Sequence, residues 1–363
     1  MKTLHIMDLD FTYKAAIRGY ESVIITREWN SIGSMTLTIN SGITNAELIA
    51  VDDIIWFDNE YNKAHIIETI EEVQEGSNRV FRIVANHVNT LLRDYITIPP
   101  SGSAYHTVTD TREAIVRAWV NNNAISPTDT SRAQYPIVLG TLKGLGASIT
   151  ERTRYKPLHE EISRILKPQD LGWCLSLDIP NSRFTFDVLQ GVDRTAGQSV
   201  NSRVLFGMQY GNISGFSKIN SNAAAKTVAY VGGQGEGAAR TIIKVDASES
   251  NRKKEIFIDA RDTDISAQLT ERGNQRLAEA AIINKFEFKV LNKQFQYQTD
   301  YDLGDFVTVV INKDTNSDLQ IQKITETFEK GLIQVVPEFG KPERTLSDII
   351  SSLSARISNT EIL

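Results

Sequence analysis

The chain has 363 residues, 41% of them hydrophobic and 23% charged, a globular balance that excludes wholesale disorder and allows two or three domains. A formal charge of −6, with no clustering of Lys and Arg among aromatics, argues against nucleic acid as the main partner. One cysteine, Cys174, rules out an intramolecular disulfide and fits a reducing compartment, Asp8 interrupts the N-terminus before a signal peptide could form, and no window reaches the ~18 apolar residues of a membrane span.

Residues 1–100 read as short strands joined by tight turns. Met35, Leu37 and Ile39 alternate with Ser34, Thr36 and Thr38, the period of a strand buried on one face. The apolar run Ile54-Ile55-Trp56-Phe57 stands between acidic and Asn-rich turns, and two further strands, 65–73 and 79–84, flank Gly76-Ser77-Asn78. Val88, Leu91 and Leu92 then suggest a short helix. The acid-rich residues 68–75 read as a solvated strand edge.

Pro99-Pro100-Ser101-Gly102-Ser103 marks a linker into residues 101–200. Ala114, Ile115, Ala118 and Trp119 predict an amphipathic helix that stops near Asn121-Asn122-Asn123. Residues 126–156 carry no clear period. A second helix follows Pro157 with Leu158, Ile162, Ile165 and Leu166 on one stripe, and Pro168 ends it. Trp173, Leu175 and Leu177 then alternate, as do Phe184, Phe186 and Val188, across a Pro180-Asn181-Ser182 turn: a hairpin.

From residue 201 strands return, at 203–206, 213–219, 226–231, 240–245 and 255–258. A helix over 266–281 points Leu269, Leu277 and Ala280 inward. Strands at 285–291, 295–298, 306–311, 319–328 and 332–336 complete the set, with Leu303-Gly304-Asp305 as a turn. The expected fold is therefore mainly β with an α+β section. Two small β-barrel-like modules, 1–100 and 201–341, flank an α/β section at 101–200, and a helix over 342–363 closes the chain. That helix carries Leu346, Ile350, Leu353 and Ile357 at steps of four, three and four, a short seam suited to an interface.

No pattern specifies catalysis, a cofactor or a metal. Gly232-Gly233-Gln234-Gly235-Glu236-Gly237 lacks G-x-G-x-x-G spacing and precedes a β-branched stretch rather than the helix that phosphate binding needs. The five histidines, His5, His65, His87, His106 and His159, show no ligand spacing. Cys174, between Trp173 and Leu175, reads as a packed thiol with no histidine after residue 159 to activate it. Carboxylates are numerous, and spacing alone leaves a concealed acid pair open.

Several local patterns together resemble the siphophage tail hub family: Gly191-Val192-Asp193-Arg194-Thr195, the glycine run through Arg240, Leu303-Gly304-Asp305-Phe306-Val307, Ile324-Thr325-Glu326, and Val336-Pro337-Glu338-Phe339-Gly340. The similarity spans nearly the whole chain in order. Read locally, Gly304 supplies a permissive turn, and Asp193 and Arg194 are adjacent opposite charges able to order their loop. The resemblance implies a virion structural protein assembled in the host cytoplasm. It implies a homotrimer whose paired β modules form a ring, adapting a six-fold tail tube to three-fold distal parts around a DNA exit channel. Implied partners are other copies of the chain, a distal tail protein, the tail tube or tape-measure protein, and fibre or receptor-binding proteins, with DNA passing without specific binding. Host recognition and wall digestion would then belong to other chains. Contact residues expected on this reading are Gly232, Gly233, Gly235, Gly237, Leu303, Gly304, Asp305, Leu346, Ile350, Leu353 and Ile357. The alternatives are a cell-wall hydrolase with a hidden carboxylate pair and a receptor- or carbohydrate-binding tail protein.

Overall fold

The N-terminal alternation is realised as seven strands: β1 (Leu4–Met7), β2 (Tyr13–Ile17), β3 (Ser22–Glu28), β4 (Ser34–Asn40), β5 (Ile54–Phe57), β6 (His65–Glu75) and β7 (Asn78–His87). The structure is a computed structural model that describes residues 2–340 apart from 77, 250, 262, 281–282, 292–293, 313–314 and 330–331. On β4, Met35, Leu37 and Ile39 are fully buried while Thr36 stays outside. β5 is apolar at all four positions because it separates two cores. Ile54 and Trp56 enter one, Ile55 and Phe57 the other, so no polar alternation is required.

The middle section contains β8 (His106–Thr111), α1 (Arg112–Val120), β9 (Ile137–Leu139), β10 (Ser148–Thr153), α2 (Leu158–Leu166), β11 (Leu171–Asp178) and β12 (Arg183–Gln190). α2 buries the expected stripe, and β11 pairs with β12 with Leu175 opposite Phe186. α1 turns differently. Thr111 caps it by accepting from the Ala114 N–H, and its inward side is Ile115, Val116, Trp119 and Val120, since two bulky β-branched residues outweigh two alanines. The stretch without a period hides two strands, β9 parallel to β12 and β10 antiparallel to β8. Both are short, and β10, Ser-Ile-Thr-Glu-Arg-Thr, is too polar to signal a strand.

The remainder comprises β13 (Leu205–Gly207), β14 (Ile213–Ser221), β15 (Val228–Gly232), β16 (Ile242–Asp246), β17 (Glu255–Asp259), α3 (Ser266–Glu279), β18 (Ile283–Val290), β19 (Phe306–Asn312), β20 (Thr315–Glu329) and β21 (Leu332–Phe339). The strand expected at 295–298 is instead part of a turn, bridged from Tyr297 to Tyr301. The C-terminal helix with Leu346, Ile350, Leu353 and Ile357 lies outside the described residues.

The chain forms two compact units, one of residues 1–216 and 288–338, the other built on 217–287. The expected boundaries at 100, 200 and 341 do not coincide with them. In the first unit β20 lies antiparallel to β3, Thr325 opposite Thr26, so strands from both expected modules share a sheet of order β21-β20-β3-β4-β7-β6-β5-β1-β2. The mainly β class with an α+β section holds, and no closed barrel occurs among the described residues.

In the second unit β15 is central, antiparallel to β16 and parallel to β17. Leu269 and Leu277 of α3 pack with Ala229, Val231 and Val245. Gly273 sits mid-helix, where glycine costs about 1 kcal/mol relative to alanine. The close approach explains it: a Cβ there would stand 2.5 Å from Val245 Cγ2. Gly273→Val should therefore destabilise this unit by about 1–3 kcal/mol through overpacking. Hydrogen exchange checks this: amides of β15 and β16 should lose protection while those of β4 and β11 keep theirs.

Candidate functional site

Leu303-Gly304-Asp305 forms the expected turn ahead of β19. Gly304 has φ 91°, and a Cβ there would collide with the Trp29 ring. Asp305 is only 4% exposed. Its carboxylate accepts from the backbone N–H groups of Val192 (2.9 Å) and Asp302 (3.0 Å) and pairs with Arg194 Nε (2.8 Å). Gly191 lies so close to the Gly304 carbonyl that a side chain would overlap it. Two segments that looked like separate loops are thus one joint. The ion pair expected between Asp193 and Arg194 gives way to it: Asp193 accepts from the Thr195 N–H at 2.9 Å, and Arg194 reaches Asp305 instead. A buried carboxylate needs a cation more than an exposed one does.

The glycine run closes the β15–β16 connection in the second unit. Gly232 and Gly233 are buried, and a Cβ on Gly233 would press on Leu269 Cδ1 at 2.9 Å. Arg240 donates from Nε to the Gly233 carbonyl (3.0 Å) and from Nη2 to the Gly232 carbonyl (2.9 Å), and pairs with Asp259. The loop therefore turns its carbonyls toward a cation, the opposite of a phosphate cradle. Gly235 (φ 101°) and Gly237 (φ 53°) stand on the exposed tip. Of the residues expected to make contacts, Gly235 and Gly237 are exposed, Leu303 is half-buried, and Gly304, Asp305, Gly232 and Gly233 are interior to their own units.

Sequence reasoning missed a buried polar cluster that joins β3, β20 and the segment before β6. Lys63 is wholly buried, donates to Glu326 Oε1 at 2.5 Å, lies 3.4 Å from Glu60 and sits 4.9 Å from the centre of the Tyr297 ring. Arg27 Nη1 donates to the Tyr297 hydroxyl (2.6 Å) and to Asp302 Oδ1 (2.9 Å). His65 and His87 meet edge to face at 5.5 Å. His65 Nδ1 donates to the Lys63 carbonyl at 2.8 Å. His87 Nε2 donates to the Asn62 carbonyl at 2.9 Å, while its Nδ1 accepts from the Asn89 N–H at 3.2 Å. The Asn89 N–H makes His87 Nδ1 an acceptor, so that ring is neutral with its proton on Nε2, while His65 carries a proton on Nδ1. Burial pushes His87 down to about 4 and, with His87 alongside, holds His65 well below its ordinary value. Burial likewise lowers Lys63, with Glu326 opposing. The signal that touched this clasp was Ile324-Thr325-Glu326, whose glutamate proves to be the anion for Lys63.

A cleft of about 220 Å³ is lined by Asp52, Glu68, Asp94, Thr90, Arg93 and Tyr135, among others. It brings three carboxylates together, the arrangement a concealed acid pair requires. Two of the three acids already have protein partners: Tyr135 donates to Asp94 at 2.9 Å, and Arg93 and Thr90 donate to Glu68. Burial raises the Glu68 carboxyl, but hydrogen bonds from Asn86, Arg93 and Thr90 outweigh it and leave the group below its usual range. A general acid needs the opposite shift. Cys174 is pushed by burial up to about 11, away from a thiolate nucleophile. Among the described residues no group of three His, Cys, Asp or Glu side chains could hold a metal ion.

The clasp makes two predictions. Lys63→Met leaves Glu326 buried without its cation and should cost about 3–5 kcal/mol, whereas Lys63→Met with Glu326→Leu should recover much of the loss. Denaturant unfolding of both variants checks this. His87 is neutral in the fold but free to protonate once unfolded. Its contribution is complete above pH 6.5 and falls as pH drops toward 4, by about 3 kcal/mol in all. Unfolding free energy measured from pH 7 to 4 should show this slope, reduced in His87→Gln.

The family model for siphovirus ReqiPepy6 Gp37-like proteins matches residues 3–341. No curated protein sequence matches the chain. Among solved structures, the fold is similar to the 43 kDa tail protein of prophage MuSo2 from Shewanella oneidensis, with a TM-score of 0.61 at 14% identity over 93% of this chain and 98% of that one. The tail protein from Neisseria meningitidis MC58 gives 0.57 at 11% identity over 93% and 96%. Prophage tail protein gp18 from Listeria monocytogenes EGD-e gives 0.56 at 11% identity over 98% and 99%. The resemblance to siphophage tail hubs read from the sequence is borne out. The chain belongs to the siphovirus ReqiPepy6 Gp37-like family and has the fold of these prophage tail proteins.

Proposed function

We propose that this chain is a structural component of a phage tail tip or baseplate, acting as a homotrimeric hub. It would adapt a six-fold tail tube to three-fold distal parts and surround the DNA exit channel. The observation that carries the reading is the end-to-end fold match to a tail protein, over 93% of this chain and 98% of the other. The site chemistry agrees in kind. Buried ion pairs and glycine-tight joints fix strands against one another, and the displaced titrations of Glu68 and Cys174 run away from proton donation and nucleophilic attack. The work of such a protein is done at contact surfaces. On this reading its partners are two further copies, a distal tail protein, the tube or tape-measure protein above and fibre or receptor-binding proteins below. The net charge of −6 suits passage of DNA without adhesion.

Native mass spectrometry of the purified chain, with imaging of assembled tails, tests the proposal. Three copies in one ring are expected. A monomer within the intact tail, or a ring of six copies, would refute the hub assignment.

A further inference from the structure

One corner of the first unit carries a cation without a counter-ion, set among exposed aromatic and aliphatic side chains. Arg154 lies over two rings, 5.1 Å from the centre of Tyr155 and 5.8 Å from that of Tyr105. Arg152 lies over the same Tyr105 ring at 4.7 Å. Among the described residues Arg154 makes no ion pair. Lys156, two residues on, is turned to Glu161 at 3.6 Å. Tyr155 is 57% exposed, and Ile96 and Ile98 are 45% and 37% exposed.

The corner is rigid. Tyr155 N–H donates to the Thr97 carbonyl at 2.6 Å, and Thr97 N–H donates to the Lys156 carbonyl at 2.8 Å. Thr97 itself is buried and bonded to Thr153, so alternation places Ile96 and Ile98 on the outer side. Arg132 holds the Ile96 carbonyl and Asn123 the Ile98 N–H, both at 2.7 Å. Tyr155 adopts φ 48°, a left-handed conformation that costs a bulky residue energy and persists only where its surroundings enforce it.

We propose that the Arg154–Tyr105–Tyr155 corner, with Ile96 and Ile98 beside it, docks a carboxylate-bearing segment of another protein chain. A guanidinium over an aromatic face keeps its edge N–H groups available, and that fork matches a carboxylate with two parallel hydrogen bonds. Tyrosine, arginine and isoleucine on a hydrogen-bonded backbone have the composition of a protein contact. The inference stands whether or not the chain is trimeric.

The test uses the full chain and fluorescently labelled poly-L-glutamate, read by anisotropy at low salt, with inorganic polyphosphate as competitor. Saturable binding is expected. It should weaken about tenfold in Arg154→Glu and less in Arg154→Lys, which keeps charge but loses the fork. Tyr155→Asn, which tolerates the left-handed backbone, should also weaken binding while circular dichroism stays unchanged. This variant keeps the test alive if Arg154→Glu fails to fold. The proposal is overturned if the wild type shows no saturable binding, or if both folded variants bind as it does. Displacement by polyphosphate at a lower concentration of charge than poly-L-glutamate itself would also overturn it, reassigning the corner to phosphate polymers.

Discussion

An ammonium group that water cannot reach must be met by an anion, and in this fold that anion arrives from the far end of the chain. Lys63 and Glu326 are 263 positions apart and 2.5 Å in contact. Such a pair need not stabilise more than a well-packed apolar substitute would. Its force is selective. Glu326 stands opposite Ile25 in the β3–β20 register. A slip of one residue would turn Glu326 to the outer face and leave Lys63 only its longer contact with Glu60. The pairing of β20 with β3, and with it the large sheet of the first unit, is therefore tied to an interaction that disfavours any other register. Arg27 reinforces it from the same strand by holding Tyr297 and Asp302.

Asp305 applies the same constraint a second time. Its carboxylate is buried, so it collects the N–H of nearby Asp302 together with the Val192 N–H and Arg194, which come from a loop 113 and 111 positions earlier. Glycine at 191 and 304 is then a consequence, because the two segments meet at backbone contact distance and Trp29 fills what remains. Both joints link segments remote in sequence, and both use local chemistry that looks ordinary in the sequence: a turn, a loop and a charged residue in a strand.

That explains what could be read beforehand. The α2 stripe, the β11–β12 hairpin and the alternation of β4 were legible because each is a local period imposed by one buried face. β5 was legible as an apolar run, though its two-sided burial was not. The union of β3 with β20 was invisible, since no local pattern records which distant strand an edge will meet. β9 was missed because three residues show no period and β10 because it is polar, and 295–298 was misread because Phe295 and Tyr297 alternate like strand aromatics while Tyr297 serves the clasp. The adjacent Asp193 and Arg194 misled for a related reason: proximity in sequence suggested a pair, and burial of Asp305 decided otherwise.

The segments through which the sequence resembled a family thus turn out, for the most part, to be internal joints. Gly191–Thr195, Leu303 to Asp305, and Glu326 act on one another or on Lys63, with Val192 and Asp193 the exposed members. Joints of this kind fix a fold with few side chains, which fits a fold shared at 11–14% identity with other tail proteins. Contact surfaces obey no such rule. A corner such as Ile96, Ile98, Arg154 and Tyr155 is defined by exposure and by a missing counter-ion, neither of which a sequence displays. The residues that carry the family resemblance therefore mostly hold strands together, and an exposed corner of this kind becomes visible only once those joints have fixed the strands in place.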